Sequence, residues 1–183
     1  MRTLKLSLAA AMMALTLGAF AQAKPVQSAD QLVKAAGAQA KKEGKNVLVV
    51  FHASWCGWCH RFDKFWESPE IAPLAKKSLI TIHITVMEND EKHKADMNPG
   101  GSEFLASVGG GKTGIPFMAI LAPNGKMIIN SNENGDDKKN IGYPGSANEI
   151  AHFMKMLKAG APKLSAADMK QIEATLVKIA PKG

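Results

Sequence analysis

The chain has 183 residues, of which 46% are apolar and 21% are charged, and its formal net charge is +7. This length fits one domain, and this composition is that of a globular protein rather than a disordered one. Two cysteines are too few for a disulfide-dense secreted scaffold, a four-cysteine zinc site or a four-cysteine iron–sulfur site. They permit one disulfide, one redox pair, or one small metal or attachment site.

The first 23 residues have the pattern of a secretory signal peptide. Arg2 and Lys5 make the start basic, a mostly apolar run follows, and Ala21-Gln22-Ala23 matches a small-x-small cleavage site. The apolar run of about 15 residues is shorter than the roughly 20 that a membrane-spanning helix needs. We therefore expect residues 1–23 to be removed, leaving a periplasmic or secreted protein without a membrane span.

The positive charge does not indicate a nucleic-acid partner. Nucleic-acid surfaces combine a dense basic stripe with interleaved aromatic residues. The lysines of this chain are scattered, with only short pairs, and the chain has one tyrosine. The pattern favours a solvated, mildly basic surface.

Helical and extended patterns alternate along the remaining chain. Residues 28–44 predict a helix, because Ser28 and Gln31 fit a capping box and Gly44 is a typical helix end. Residues 47–51 form a continuous apolar run, which is typical of a strand buried on both faces. A helical period then runs from Trp58 to Trp66, with prolines beyond it that end or bend the helix.

The second half begins with alternating isoleucines in residues 79–86, which predict a strand. A short helix over 103–108 precedes two strands, 117–121 and 127–129, and Pro-Asn-Gly between them is a hairpin signal. Residues 131–145 are polar and contain glycine, and they predict a long loop. Two capped amphipathic helices follow, starting after Ser146 and Ser165.

This order, α-β-α-β-α-β-β-α-α, predicts an α/β fold with a mixed central sheet and helices on both faces. We expect one domain over residues 24–160 and a C-terminal helical extension over 161–183. The apolar stripe of that last helix is expected to pack back on the domain.

The segment Ser54-Trp55-Cys56-Gly57-Trp58-Cys59-His60 lies where the first strand gives way to the aromatic helix. A thiol at a helix N-terminus is near unpaired backbone N–H groups and the positive end of the macrodipole, which stabilise its thiolate. Cys59 follows one helical turn later and can reach Cys56. The placement predicts a redox pair in which Cys56 attacks a substrate disulfide and Cys59 resolves the mixed disulfide.

Three other uses of the pair stay open at this point. A structural disulfide closing so short a loop contributes little chain entropy. Cys-x-x-Cys-His is also the attachment pattern of c-type haem, and the pair with His60 could hold a metal in a non-catalytic binding module. The strand leading directly into the cysteines favours the redox pair over these alternatives, so we predict no metal and no cofactor beyond the disulfide.

A second signal is Gly114-Ile115-Pro116-Phe117, because proline at the entry to an apolar strand removes a backbone donor. Trp-Cys-x-x-Cys after a buried strand, with Ile-Pro opening a later hairpin, resembles the thioredoxin superfamily over residues 28–158. Lys41-Lys42-Glu43-Gly44-Lys45 and Trp66-Glu67-Ser68-Pro69-Glu70-Ile71 resemble exported thioredoxin-like proteins of the disulfide-reductase type.

The resemblance implies a cis-Pro116 packed against the cysteines, which leaves the Ile115 backbone free for strand-like pairing with a substrate. It implies a further substrate-facing segment at Gly142, at the end of the 131–145 loop, which would shape access to Cys56. The partners it implies are protein thiols or disulfides and a redox partner that resets the pair. The substrate-contacting residues expected on this basis are Trp55, Gly57, Trp58, Ile115, Pro116 and Gly142.

The sequence departs from thioredoxins in two respects. Thioredoxins usually carry a buried acid six residues before the first cysteine, and this chain has Val50 there. Proton transfer from Cys59 must then use water or another group, for which His60 and Glu88 are candidates. The dipeptide between the cysteines is Gly57-Trp58 rather than Gly-Pro, so the resemblance does not assign the chain as an oxidant or a reductant.

Overall fold

The computed structural model describes residues 25–181. The predicted leader, residues 1–23, lies outside them. The described residues form four strands and seven α-helices in the predicted order, with two short helices added, α3 and α4. The elements are α1 (Ala29–Glu43), β1 (Asn46–His52), α2 (Gly57–Trp66), α3 (Ala72–Ser78), β2 (Leu79–Thr85), α4 (Glu91–Lys94), α5 (Gly101–Ser107), β3 (Phe117–Leu121), β4 (Met127–Asn130), α6 (Ala147–Gly160) and α7 (Ala166–Ile179).

The four strands form one mixed sheet in the order β2-β1-β3-β4. β1 pairs in parallel with β2 and antiparallel with β3, and β4 is antiparallel to β3. In this register Phe51, near the end of β1, lies opposite Phe117, the first residue of β3. The chain leaving β1 and the chain entering β3 therefore meet at one edge of the sheet.

Apolar side chains of β1 enter two cores, one on each face of the sheet. Leu48 and Val50 belong to a cluster with residues of α2, α3, α6 and α7. Val47, Val49 and Phe51 belong to a second cluster with residues of α1 and α5. All five are at most 1% exposed, so the predicted burial on both faces and the predicted α/β class are confirmed.

The helix α7 packs on the domain, as expected for its apolar stripe. Ile172 and Leu176 are fully buried in the same cluster as Leu48. The division into a 24–160 domain and a separate extension stays a prediction. No helix within residues 25–181 has the length and apolar character needed to cross a membrane.

The observed helices differ from the predicted ones in three respects. α2 ends before Pro69, as predicted, but a separate helix, α3, follows and carries Pro73 in its first turn, where proline is tolerated. α5 begins at Gly101 rather than at residue 103. α4 is a single turn capped by Asp90, too short to produce a periodic pattern.

Candidate active site

The cysteines lie at the start of α2, five residues beyond the end of the apolar run of β1. Cys56 is the N-cap of α2, and its Sγ accepts a hydrogen bond from the Cys59 backbone N–H at 3.2 Å. The two sulfur atoms are joined in a disulfide. When the pair is reduced, the same N–H and the helix macrodipole stabilise a thiolate on Cys56. The predicted position of Cys56 at the helix N-terminus is confirmed.

The segment before β3 packs against this pair. The Ile115–Pro116 peptide bond is cis, as the resemblance implies. Cys56 Sγ lies 3.6 Å from the carbonyl oxygen of Ile115, and Ile115 packs against both cysteines. The strand register described above produces this contact, although 59 residues separate the two positions.

Trp58 extends from α2 into an aromatic stack. Its ring lies parallel to that of Tyr143, with centroids 5.8 Å apart. The guanidinium of Arg61 lies 5.7 Å from the Trp58 centroid and 5.1 Å from the Tyr143 centroid. Arg61 also donates a hydrogen bond of 2.7 Å to the carbonyl oxygen of Ile179 in α7. Arg61 therefore joins the dipeptide between the cysteines to the 131–145 loop and to α7.

Arg61 belongs to no motif that the sequence offers. The available signal was its spacing of three residues from Trp58, which places both side chains on the same face of a helix. The contact with Ile179 lies 118 residues away along the chain, and no local pattern indicates it.

Two grooves flank Trp58. The first, which we call the cis-proline groove, has a volume of about 500 Å³ and brings together four of the predicted substrate-contacting residues, Trp58, Ile115, Pro116 and Gly142. Tyr143, Glu149 and Pro181 are among its other lining residues. The second, which we call the α2–α7 groove, has a volume of about 960 Å³ and contains the predicted residue Gly57.

Trp55 lies apart from both grooves. Its side chain is 50% exposed, and its indole N–H donates to the carbonyl oxygen of Met87 at 2.8 Å. This bond fixes the ring beside the cysteine segment. Its contact with a substrate stays a prediction.

The two candidate proton-transfer residues both bind Ser54, two residues before Cys56. Ser54 donates its backbone N–H and its hydroxyl to the two carboxylate oxygens of Glu88, at 2.6 and 2.7 Å. His60 Nε2–H donates to the Ser54 carbonyl oxygen at 2.7 Å. Val50 is fully buried in the apolar core. These bonds hold the turn before Cys56, and the transfer of a proton by either side chain stays a prediction.

The alternatives of a metal platform and of haem attachment find no support in this geometry. Among residues 25–181, no three His, Cys, Asp or Glu side chains are grouped closely enough to hold a metal ion. His60 is turned back to Ser54, and the residues Cys56 and Cys59 are at most 3% exposed.

A mixed sheet with helices on both faces, carrying a cysteine pair at a helix N-terminus against a cis-proline, defines a protein of thioredoxin fold. The family model described as thioredoxin-like matches residues 28–123, which include both cysteines and Pro116. The chain belongs to this thioredoxin-like family. The resemblance inferred from the sequence is thus confirmed, and the family and the cysteine pair support the predicted enzyme class, a thiol–disulfide oxidoreductase.

Similar curated proteins include two plant protein disulfide-isomerases. The chain is 25% identical over 132 residues to the one from Hordeum vulgare, and the match covers 72% of this chain and 21% of the relative. It is 30% identical over 97 residues to the one from Zea mays, covering 52% of this chain and 16% of the relative. The chain therefore spans about a fifth of the length of these relatives.

Similar solved structures include a disulphide isomerase from Xylella fastidiosa Temecula1, with a TM-score of 0.48 and 22% identity. That match covers 91% of this chain and 98% of the other. A DsbH oxidoreductase has a TM-score of 0.46 and 18% identity, and its match covers 73% of this chain and 83% of the other.

Proposed function

We propose that this protein is an exported thiol–disulfide oxidoreductase that exchanges disulfides with protein substrates, with Cys56 as the attacking and Cys59 as the resolving residue. The carrying observation is the position of the Cys56 sulfur. It accepts the Cys59 N–H at the start of α2 and lies beside the carbonyl oxygen of Ile115, and Cys56 is 3% exposed whereas Cys59 is fully buried. The basic, apolar and small-x-small pattern of residues 1–23 supports export.

The reaction needs no group besides the two thiols and a partner disulfide. The Cys56 thiolate attacks one substrate sulfur, the substrate disulfide breaks, and the first substrate thiolate leaves. The Cys59 thiolate then attacks the Cys56 sulfur, which releases the second substrate thiolate and forms the Cys56–Cys59 disulfide. Two electrons pass from the pair to the substrate, and the two substrate thiolates take up protons. The reverse sequence oxidises a dithiol, and the same exchange with a redox partner resets the pair.

The cis-proline groove is where an extended substrate segment would lie. The Ile115 backbone precedes β3 and offers strand-like pairing beside the attacking sulfur. Trp58, Pro116 and Gly142 line the same groove, while Trp55 and Gly57 are the neighbours of Cys56 along the chain. His60, Glu88 or water would take the proton of Cys59, because Val50 offers no carboxylate.

The test is to trap the intermediate. Cys59→Ser should accumulate mixed disulfides through Cys56, because attack proceeds and resolution does not. Cys56→Ser should accumulate at least tenfold less mixed disulfide, because the remaining cysteine, Cys59, is fully buried. The measurement is non-reducing electrophoresis and mass spectrometry after acid quenching and alkylation, with the double serine variant as the matched control. Equal trapping by both single variants, or no exchange by the unmodified pair with model disulfides, contradicts the proposal.

A further inference from the structure

The α2–α7 groove opens directly beside the redox pair. Its lining starts at Gly57 and Trp58, between the cysteines, and reaches Thr175 and Ile179 on α7. The family model ends at residue 123, so the α7 wall of this groove comes from a part of the chain outside the matched region. Pro181, two residues beyond the end of α7, forms part of the wall of the cis-proline groove.

The charge of the α2–α7 groove is predominantly positive. Arg61 and Lys64 line it, both are exposed, and neither forms an ion pair with an acid among residues 25–181. The one acidic side chain in the lining is Glu70, whose Oε1 accepts a hydrogen bond from the Thr175 hydroxyl at 3.1 Å. Two cations thus face one carboxylate.

The Arg61 guanidinium is held in place without any acidic partner. Its bond to the Ile179 carbonyl oxygen and its position over the Trp58 and Tyr143 rings fix its plane at the junction of the two grooves. Within residues 25–181 the guanidinium makes this one hydrogen bond, out of the five that its N–H groups could donate. Trp58 beside it is 53% exposed and offers apolar contact area.

We propose that the α2–α7 groove binds an acidic, extended segment of the protein whose disulfide Cys56 attacks. The inference rests on the proposed function and adds a substrate preference to it. A segment that pairs with Ile115 and passes Trp58 enters the α2–α7 groove within a few residues of its cysteine. Its carboxylates then meet Lys64 and Arg61. Such complementarity raises the association rate and the selectivity more than the affinity.

The probes are two peptides of equal length, each with one cysteine in a mixed disulfide with mercaptoethanol. One carries four glutamates within six residues of the cysteine, and the other carries glutamines at the same positions. Reduced protein should react about threefold to tenfold faster with the acidic peptide at low ionic strength. The ratio of the two rates should approach one at about 1 M salt, where charges on the surface are screened.

The variants compare two lysines that carry the same charge, one in the α2–α7 groove and one outside it. Lys64→Glu should abolish or reverse the preference for the acidic peptide. Lys126→Glu changes the net charge equally, but it lies in the turn between β3 and β4, away from the edge where Phe51 meets Phe117, and should keep the ratio. The ratio of two peptides cancels any change in the intrinsic reactivity of Cys56.

Equal rates with the two peptides, or equal loss of the preference in both lysine variants, overturn the docking proposal and leave the proposed function standing. Failure of the protein to exchange with either peptide overturns the proposed function, and the docking proposal with it. If Lys64→Glu removes the preference for the acidic peptide and Lys126→Glu retains it, the docking proposal and the proposed function are both supported.

Discussion

At the scale of single residues, the two cysteines differ in environment because three positions separate them at the start of a helix. Cys56 is the N-cap and reaches Ile115, whereas Cys59 lies inside the first turn and is fully buried. An N-cap side chain can accept a backbone N–H, whereas Cys59 lies on the buried face of α2. The proposed division of roles rests on this difference in position.

His52, the last residue of β1, is the group near the site whose protonation the fold disfavours. Its partial burial, and then the neighbouring His83, lower the pKa of His52 below its ordinary value of 6.5, against the opposing effect of Asp63 and Glu88. The Thr85 hydroxyl lies 3.2 Å from His52 Nε2, where a neutral ring accepts its proton. The folded protein thus favours the neutral imidazole.

A pH dependence of stability follows from His52. Below about pH 6.5 the unfolded chain binds the proton before the folded chain does, so the free energy of unfolding decreases as the pH falls from 7 to 5. His52→Gln keeps an acceptor for the Thr85 hydroxyl and removes the titrating group. The free energy of unfolding of this variant should therefore decrease less between pH 7 and pH 5. Urea unfolding at both pH values measures this. His93→Gln, on the single turn of α4, is the control, and an equal decrease in His52→Gln contradicts the argument.

At the scale of elements, the helix starts that carry a capping box were predictable, and the start of α5 was not. The capping boxes at Ser28, Ser146 and Ser165 are all present. Each depends on two side chains three positions apart, so the sequence alone contains the whole interaction. α5 starts after Gly100, which offers no side-chain cap, and its predicted start was wrong by two residues.

An ion pair between Asp168 and Lys77 also links the start of α7 to α3. Asp168 accepts the Ser165 N–H at 2.9 Å, and its other oxygen lies 2.6 Å from Lys77 Nζ. The Lys77 hydrogen bond and the two Ser165 hydrogen bonds lower the pKa of Asp168 from 3.8 to about 2. The ionised form therefore stabilises the packing of α7.

We expect Asp168→Asn to change how the stability of the protein depends on pH below pH 4. A carboxylate with a lowered pKa stabilises the fold above pH 3.8, and this contribution disappears as the pH falls from 3.8 toward 2. The Asp168→Asn variant should have a lower melting temperature than the unmodified protein at pH 7. Its melting temperature should also fall less between pH 4 and pH 2. Calorimetry across this range tests it. Asp30→Asn, which removes an exposed ion pair on α1, is the control. Its melting temperature should fall as steeply between pH 4 and pH 2 as that of the unmodified protein.

At the scale of the whole molecule, α7 completes one of the two cores. Ile172 and Leu176 are fully buried, and burying an aliphatic side chain contributes about 1.5–3 kcal/mol. Two such residues contribute about 3–6 kcal/mol, which is large beside a typical domain stability of about 5–15 kcal/mol. The predicted 24–160 domain therefore depends on the residues that follow it.

Removing residues 161–183 should lower the free energy of unfolding by about 3–6 kcal/mol, as measured by urea denaturation. Leu176→Ala reports on the same contact in the full chain, with an expected loss of about 2–5 kcal/mol. Val177→Ala, at a side chain that is 61% exposed, should change the stability by less than about 0.5 kcal/mol. An unchanged stability of both the shortened chain and Leu176→Ala would show that α7 adds nothing to the core.

The sequence by itself determined the strands, the capped helices and the cysteine pair at a helix start, because these depend on side chains within a few positions of one another. It also indicated the thioredoxin-like family through Cys56, Cys59 and Pro116. Only the tertiary structure decided what surrounds the pair. Arg61 meets Ile179 across 118 positions, and Trp58 meets Tyr143 through the packing of a loop on α2. Such contacts depend on how whole elements pack, which no local pattern encodes.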